Sequence, residues 1–332
     1  MKTEIVIYAP SYDPNSGGSI VLHKLCDSLN KTGKCRAFLL PGLGGRERHV
    51  YRLKPRKSNS PKSTEGWRAL RRIFLQAFVK LILRKKIRQF RCNPAFDTPV
   101  VDEGFFNKKD PFGHKVVVYA EVVNGNPLRA KHVVRWLLHN PGFHNGEVHY
   151  GIGELHFRFS HETIPAIISG LFVSDLYLTI LHIPWEYYNM NDIPAERDCV
   201  AYSLRKGAHK SLVHDVEGSI LIDGRPHAEV AAIFKRSRLF ISYDSRSAYS
   251  QFASLCGCDS VIVPDEGVSE EEFFKSPESR YGVSYGFEGL EAARSTRSLL
   301  YQQLQRLESD NLNKADAFLE EVQKFFRLPR VV

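Results

Sequence analysis

The segment ISYDSRSAYSQFASLCGCDSVIVPD, residues 241–265, decides how the second half of the chain folds. It continues an apolar run that begins at residue 238 and, ending at 243, has the length of a buried strand. A polar turn follows at 244–247, then a helix with an apolar side that ends at Gly257, and then a second apolar strand at 261–263. This order of strand, turn, helix and strand predicts a βαβ unit.

The polar turn at 244–247 is the candidate anion site of this unit. The first backbone N–H groups of a helix have no partner inside the helix, and the helix dipole adds positive charge at the same end. A phosphate or diphosphate is therefore the expected ligand of the turn. The alternative is an ordinary βαβ unit with a Ser-capped helix and no ligand.

The helix end and the second strand, ASLCGCDSVIVP at 253–264, resemble the segment that holds the donor diphosphate in glycosyltransferases of the GT-B type. The resemblance implies an α/β fold with two Rossmann-like domains, a cleft between them and a C-terminal helix that crosses back to the first domain. It also implies donor contacts from five residues in or beside the turn: Tyr243, Asp244, Ser245, Ser247 and Ala248. Many retaining members carry a Glu one turn into this helix, where this chain has Phe252 or Ala253, and one residue is inserted after Gly257. A retaining outcome is therefore not supported.

Length and composition describe a soluble protein of two domains. At 332 residues, with 43% apolar and 25% charged residues, the chain is long enough for two cores. Its six cysteines form no CxxC pair, which favours reduced thiols and a cytoplasmic location. The start, MKTEIVIYAP, leads straight into a strand, and no apolar run reaches about 20 residues. We therefore expect neither a signal peptide nor a membrane span.

Positive charge is concentrated in one segment. Residues 46–91 hold sixteen Lys or Arg against two Glu, a balance of +14, whereas the whole chain carries +9. A loop is predicted at 44–64, and a helix with a broad apolar face and cationic flanks at 67–91. Such a helix suits an anionic membrane surface, and the alternative is a helix that packs on the core with a solvated basic side. Nucleic acid fits less well, because the aromatic residues lie on the apolar face rather than among the charges.

The first domain begins with a βαβ unit whose loop offers several candidate groups. A buried strand at 2–10 and a helix lead to a second strand at 36–41. Gly17 and Gly18 lie where doubly wound sheets bind ligands, and their missing Cβ atoms let a ligand approach the backbone. By resemblance to GT-B enzymes, this Gly-Gly pair faces the donor. Asp13 and His23 are reserve candidates for a catalytic base, although a histidine on a helix face is more often structural.

Glu121 is the preferred candidate for the general base. It follows the buried strand 116–119 at its carboxyl end, where doubly wound sheets place acids and bases. The alternative is a purely structural carboxylate that caps a backbone group or forms a salt bridge.

The region after Glu121 carries the candidate acceptor ligands. Asn124 and Asn126 lie in a turn whose side chains suit the binding of sugar hydroxyls, and a helix is predicted at 130–138. The stretches YAEVVNGNPLRAKHVVRWLLHNPG, at 119–142, and YGIGEL, at 150–155, resemble bacterial glycosyltransferases from surface-polysaccharide clusters. The resemblance implies a role in making O-antigen or capsule.

The second domain begins at an aperiodic segment, 185–197, which follows Pro184 and contains Pro194 near its other end. We therefore predict a first domain at 1–184 with a basic insertion at 44–96, a second domain at 185–312 and a returning C-terminal helix at 313–332.

Basic residues follow the first strand of this second domain. Arg205 and Lys206 come directly after the predicted strand at 198–204. By resemblance they neutralise the donor diphosphate, Arg through a bidentate contact and Lys as a point charge. Asp223 is implied beside the base or ribose, and Glu266 follows a strand end where the donor is expected.

Together these features predict a metal-independent glycosyltransferase without a cofactor. It would move a sugar from a nucleotide-sugar to a polysaccharide or lipid-linked oligosaccharide acceptor, in the cytoplasm and at the inner face of the membrane. No acidic pair of the DxD type is arranged to hold a metal ion. Two alternatives stay open: a nucleotide-sugar epimerase of the same fold, which turns over without an acceptor, and a non-catalytic protein that binds membranes through 67–91.

Overall fold

A computed structural model of the protein describes residues 2–42, 90–107, 113–144, 146–166 and 170–329. The predicted loop at 44–64 and residues 67–89 of the predicted basic helix lie outside the described residues. Phe90 and Arg91, at the end of that predicted helix, are described and are not helical. The chain divides into two compact units, one formed by residues 1–179 with 312–332 and the other by residues 180–311.

The first unit is built on a six-stranded parallel sheet. Its strands are β1 (Glu4–Ala9), β2 (Arg36–Pro41), β3 (Lys115–Ala120), β4 (His132–Leu137), β5 (Leu155–Arg158) and β6 (Phe172–Tyr177). They lie in the order β2–β1–β3–β4–β5–β6. Helix α1 (Gly17–Lys31) connects β1 to β2, and the short helix α2 (Glu103–Asn107) precedes β3. Strands β1 and β3 are buried along nearly their whole length, which explains their continuous apolar runs.

The segment predicted as a helix at 130–138 is instead strand β4, and this prediction is wrong. All six residues of the strand are buried, and it lies between β3 and β5 in the sheet. The apolar run is too short for its periodicity to separate a helix from a buried strand. The paired β-branched residues Val133 and Val134 favour the strand, because branching at Cβ restricts the side chain in a helix.

The second unit is built on a five-stranded parallel sheet in the order β11–β10–β9–β7–β8. Its strands are β7 (Cys199–Ser203), β8 (Ser219–Leu221), β9 (Ser237–Ser242), β10 (Asp259–Ile262) and β11 (Ser284–Tyr285). Its helices are α3 (His227–Arg236), α4 (Tyr249–Leu255), α5 (Glu270–Phe273) and α6 (Leu290–Ser309). The predicted βαβ unit is confirmed as β9, α4 and β10, and Gly257 ends α4 with a φ of 73°. The predicted class, α/β with two Rossmann-like sheets, is confirmed.

The last helix, α7 (Asn311–Phe325), packs on the sheet of the first unit. Phe318 lies 4.9 Å from Phe157 of β5, measured between ring centroids. Lys34 and Asp316 form an ion pair at 2.6 Å, and the Gln323 amide donates to Thr3 Oγ1 at 3.1 Å. Residues 312–329 therefore belong to the same compact unit as the N-terminal strands. No helix within the described ranges is long and apolar enough to cross a membrane.

Candidate functional site

The basic turn after β7 packs closely against the turn after β9 in the second unit. A Cβ atom at Gly207 would lie 1.8 Å from the Tyr243 carbonyl oxygen and 2.9 Å from the Asp244 nitrogen. Both of these atoms belong to the backbone, so no side-chain rotation would relieve the overlap. Glycine at position 207 therefore lets the turn that carries Arg205 and Lys206 lie directly beside residues 243–248.

Asp223 holds the basic turn from its other side. Its carboxylate accepts hydrogen bonds from Ser203 Oγ at 2.5 Å, from the Leu204 N–H at 3.1 Å and from the Arg205 N–H at 2.9 Å. Arg205 has a φ of 37°, a backbone region that costs an L-residue about 1–2 kcal/mol. The bonds to Asp223 offset this cost. Asp223 thus shapes the turn, and its predicted contact with base or ribose stays a prediction.

The side chains of the basic turn are directed outward. Arg205 and Lys206 are both exposed, and the Arg205 guanidinium carbon lies 5.6 Å from the centroid of the Tyr249 ring at the start of α4. Contact with an aromatic face orients a guanidinium. The turn therefore carries two cations beside the first turn of α4.

A buried cation that the sequence did not reveal fixes the turn after β9. Lys210 Nζ donates to the Val263 carbonyl at 2.7 Å and to Ser245 Oγ at 3.1 Å, and it pairs with Asp265 at 2.7 Å. Ser245 Oγ also donates to the Asp265 carboxylate, at 2.7 Å. Burial raises the pKa of Asp265, but the hydrogen bonds from Lys210 and Ser245 outweigh it and hold that pKa below the ordinary value. Lys210 lies in an aperiodic loop, where no sequence pattern marks it.

The backbone of the turn after β9 is more fully paired than the sequence predicted. The Ser247 N–H donates to the Asp244 carbonyl at 3.2 Å, and the Arg246 N–H donates to Asp244 Oδ1 at 3.2 Å. The Tyr249 N–H donates to Ser247 Oγ at 3.3 Å, and the Ser250 N–H donates to the Ser247 carbonyl. The expectation of a row of unpaired N–H groups is wrong for these four residues. Any anion here must depend mainly on cationic side chains.

The remaining predicted donor residues differ in exposure. Tyr243 is fully buried, and its hydroxyl is 2.8 Å from both the Val213 nitrogen and His214 Nδ1, so its side chain serves the core. Asp244 is nearly buried, whereas Ala248, the residue before α4, and Glu266 are exposed. The structure brings residues 243–248 together with Arg205. Donor contact from each of them stays a prediction.

In the first unit, Glu121 lies at the carboxyl end of β3 and is 5% exposed. Its Oε2 accepts the Leu138 N–H at 3.0 Å, and its backbone carbonyl accepts the Tyr150 hydroxyl at 2.8 Å. Glu121 therefore joins the ends of β3 and β4, which is the capping role that the sequence left open. The same carboxylate is the candidate base.

The glycine pair begins helix α1, and Gly18 lies near the side chain of Leu138. Gly17 and Gly18 form the first turn of α1, and a Cβ at Gly18 would meet Leu138 Cδ1 at 3.7 Å, an ordinary contact. A Cβ at Gly17 would meet nothing within 4 Å. Asp13 is exposed in the preceding loop, where its Oδ1 accepts the Asn15 N–H at 2.9 Å. The structure thus places Gly18 beside the residue that binds Glu121.

His23 is enclosed in the core beneath this loop. It has no exposed surface, its Nε2 is 2.9 Å from the Pro10 carbonyl, and its ring stacks on Phe90. Burial lowers the pKa of His23 more than the bond to Pro10 raises it, so the imidazole is neutral near pH 7. These contacts favour the structural interpretation over the reserve role as a base.

The two predicted acceptor ligands make hydrogen bonds within their own loop. Asn124 Oδ1 accepts the His149 N–H at 3.0 Å. Asn126 Oδ1 accepts the Ala130 N–H, and its amide donates to the Ala130 carbonyl, both at 2.9 Å. Both side chains therefore stabilise turns, and sugar binding by them stays a prediction. Among the described residues, no group of three or more His, Cys, Asp or Glu is arranged to hold a metal ion.

Comparisons with known proteins find structural neighbours of low sequence identity. No protein-family model matches the chain, and no curated protein matches it. The structure is similar to that of T4 phage BGT in complex with its UDP-glucose substrate, with 10% identity, 98% of each chain covered and a TM-score of 0.36. It is also similar to Acinetobacter baumannii MurG, with 10% identity, 97% of this chain and 99% of that chain covered, and a TM-score of 0.35. Donor, acceptor and stereochemistry have to be derived from the residues of this chain.

Proposed function

We propose that the protein is a glycosyltransferase that moves a sugar from a nucleotide-sugar to a polysaccharide or lipid-linked oligosaccharide acceptor. The observation that carries the proposal is the basic turn at 205–206, held by Asp223 on one side and by the close approach of Gly207 on the other. A turn that is strained, fixed and doubly cationic at the carboxyl ends of parallel strands is suited to an anionic ligand.

The departing nucleoside diphosphate is the group that needs stabilisation in such a reaction. The planar guanidinium of Arg205 suits two phosphate oxygens at once, and Lys206 adds a second positive charge. Because the backbone of this turn is already fixed, little reorganisation is needed as negative charge develops on the leaving group. Metal-independent transfer belongs to this proposal, since the two cations would neutralise the diphosphate.

Glu121 is the proposed general base for the acceptor hydroxyl. It lies at a strand's carboxyl end, and the Leu138 N–H holds its carboxylate in one orientation at 3.0 Å. A carboxylate held in this way can accept the proton of a hydroxyl that attacks the donor sugar. Surface polysaccharides of the O-antigen or capsule type are the proposed acceptors, in keeping with the resemblance of residues 119–142.

We also infer that the basic segment 67–91, of which residues 67–89 lie outside the described residues, brings the enzyme to an anionic membrane surface. The longer stretch 46–91 to which it belongs carries a balance of +14. Each Lys or Arg near such a surface contributes about 1 kcal/mol of attraction. Lipid-linked acceptors would be concentrated at that surface.

Calorimetric titration with nucleoside diphosphates tests the proposal. Arg205→Ala should weaken binding about tenfold or more, because it removes the bidentate cation. Arg238→Ala is the matched control, because Arg238 is exposed at the opposite end of β9 and the charge change is the same. If neither the wild type nor any variant binds a nucleoside diphosphate, the donor site is wrong. If binding occurs and sugar turns over without an acceptor, the epimerase alternative is correct.

A further inference from the structure

A buried arginine lies in the middle of the first unit's sheet. It belongs to β4, the strand that was predicted to be a helix. Arg135 of β4 is in register with Tyr119 of β3 and His156 of β5, so these three residues share one face of the sheet. Arg135 has no exposed surface. Its guanidinium makes a bidentate contact with Glu154, with Nε to Oε2 at 3.0 Å and Nη2 to Oε1 at 3.0 Å.

The same guanidinium also binds the loop that carries Glu121. Arg135 Nη1 donates to the Val123 carbonyl, and Nη2 donates to the Gly125 carbonyl at 3.0 Å. The planar group lies between two aromatic rings, 5.1 Å from the centroid of Tyr119 and 4.5 Å from that of Tyr150. Its position and its orientation are therefore both fixed.

Two loops are joined around this arginine. The Gly125 N–H donates to the His149 carbonyl at 2.6 Å, and the His149 N–H donates to Asn124 Oδ1 at 3.0 Å. Tyr150, whose ring covers the guanidinium, donates its hydroxyl to the Glu121 carbonyl at 2.8 Å. Residues 121–126 and 147–150 thus form one hydrogen-bonded assembly with Arg135 beneath it.

Stability alone does not explain a buried ion pair in this place. Removing two charges from water is costly, and well-packed apolar residues of similar volume often stabilise a protein as well or better. Burial raises the pKa of Glu154, but the nearby His156, whose Nε2 is 3.6 Å away, and the bonds from Arg135 and the Gly151 N–H hold that pKa below its ordinary value. The pair therefore remains ionised near pH 7. An apolar pair could not donate hydrogen bonds to two carbonyl groups of the 121–126 loop, as the planar guanidinium does.

We propose that Arg135 is a positioning residue: through Val123, Gly125 and Tyr150 it fixes the 121–126 loop so that the Glu121 carboxylate faces the acceptor hydroxyl. This proposal rests on the proposed function for the role of Glu121. The geometric part, that Arg135 immobilises the loop, stands on the described contacts alone.

The test compares three variants of the full-length protein. Arg135→Lys keeps the charge but removes the fork. Tyr150→Phe keeps the ring over Arg135 and removes only the hydrogen bond to the Glu121 carbonyl. It tests the same proposal if Arg135→Lys does not fold. Arg158→Lys is the matched control, because the Arg158 guanidinium also lies over an aromatic ring, 4.4 Å from the Tyr177 centroid, in the same sheet.

Two readouts are measured on each variant, per folded molecule. The first is amide hydrogen exchange of residues 121–126, which should rise about tenfold in Arg135→Lys and Tyr150→Phe and remain unchanged in Arg158→Lys. The second is steady-state transfer, where kcat should fall by up to about 100-fold in Arg135→Lys while nucleoside diphosphate affinity stays at the wild-type value. A purely structural role would lower the active fraction but leave kcat per active site unchanged.

The outcomes separate the two proposals. Unchanged exchange in both Arg135→Lys and Tyr150→Phe overturns the inference. Raised exchange with unchanged kcat also overturns it, because the loop would then be mobile without consequence for catalysis. If the wild type transfers no sugar from any donor, the proposed function fails, and hydrogen exchange alone still decides whether Arg135 immobilises the loop.

Discussion

Replacement of Gly207 by alanine tests whether the close packing of two turns creates the candidate diphosphate site. The new Cβ would lie 1.8 Å from the Tyr243 carbonyl oxygen, whereas real Cβ contacts essentially never fall below 3.0 Å. The turn must therefore move by at least about 1.2 Å, the difference between these two distances. A displacement of that size away from Tyr243 would not preserve the 2.9 Å hydrogen bond from the Arg205 N–H to Asp223.

The energetic cost follows from two terms. Overpacking against backbone costs about 1–3 kcal/mol, and the loss of a hydrogen bond to a charged group costs about 1.5–3 kcal/mol. We expect these two costs not to add fully, because the movement of the turn that breaks the hydrogen bond also relieves the overlap. The free energy of unfolding of the second unit should fall by about 2–3 kcal/mol, and nucleoside diphosphate affinity should fall about tenfold or more.

Urea unfolding and calorimetric titration check this prediction together. Ala208→Ser is the matched control, because it adds one heavy atom at the next residue, which is exposed. The control should match the wild type in both measurements. If Gly207→Ala keeps both the wild-type unfolding midpoint and the wild-type affinity, the close approach of the two turns does not shape the site, and the reasoning is refuted.

Three further predictions concern the base, the ion pair between Lys210 and Asp265, and the membrane. Glu121→Gln should lower turnover about 100-fold or more with nucleoside diphosphate affinity unchanged, and equal rates would remove Glu121 as the base. Because the pKa of Asp265 is lowered, its stabilising effect is present above its unfolded pKa of about 4 and is lost as the pH falls through the lower folded value. In Asp265→Asn, the free energy of unfolding measured with urea should therefore fall less steeply as the pH is lowered below about 4 than it does in the wild type. An unchanged pH dependence would contradict this. Deleting residues 67–86 should reduce binding to anionic liposomes at low salt, and persistent binding would rule out that segment.

The parts of the fold that were predictable from sequence are those marked by local chemistry. Strand β9, helix α4 and strand β10 are separated by a polar turn and by Gly257, whose φ of 73° suits glycine. The first helix likewise ends before Gly33, whose φ is 69°. Strand β4 was missed because its identity depends on neighbouring strands on both sides, which a short apolar run does not reveal. The charged Arg135 within that run was the available signal of a buried, paired cation.

The candidate site was predictable in its residues more than in its contacts. The sequence pointed to Arg205 and to the turn after β9, but not to the hydrogen bond that the Arg205 N–H donates to Asp223, which spans 18 positions along the chain. It also did not reveal Lys210, which lies after β7 and whose partner Asp265 lies after β10. Such pairs are brought together by sheet order, which local patterns do not encode.

The central claim is that cationic side chains of the second unit bind a diphosphate. The most direct measurement compares the affinities of a nucleoside diphosphate and the matching monophosphate for the wild type and for Arg205→Ala. The account predicts that the diphosphate binds about tenfold or more tightly than the monophosphate to the wild type, and that this difference largely disappears in the variant. Equal affinities for the two nucleotides in the wild type, or an undiminished difference in the variant, would contradict it.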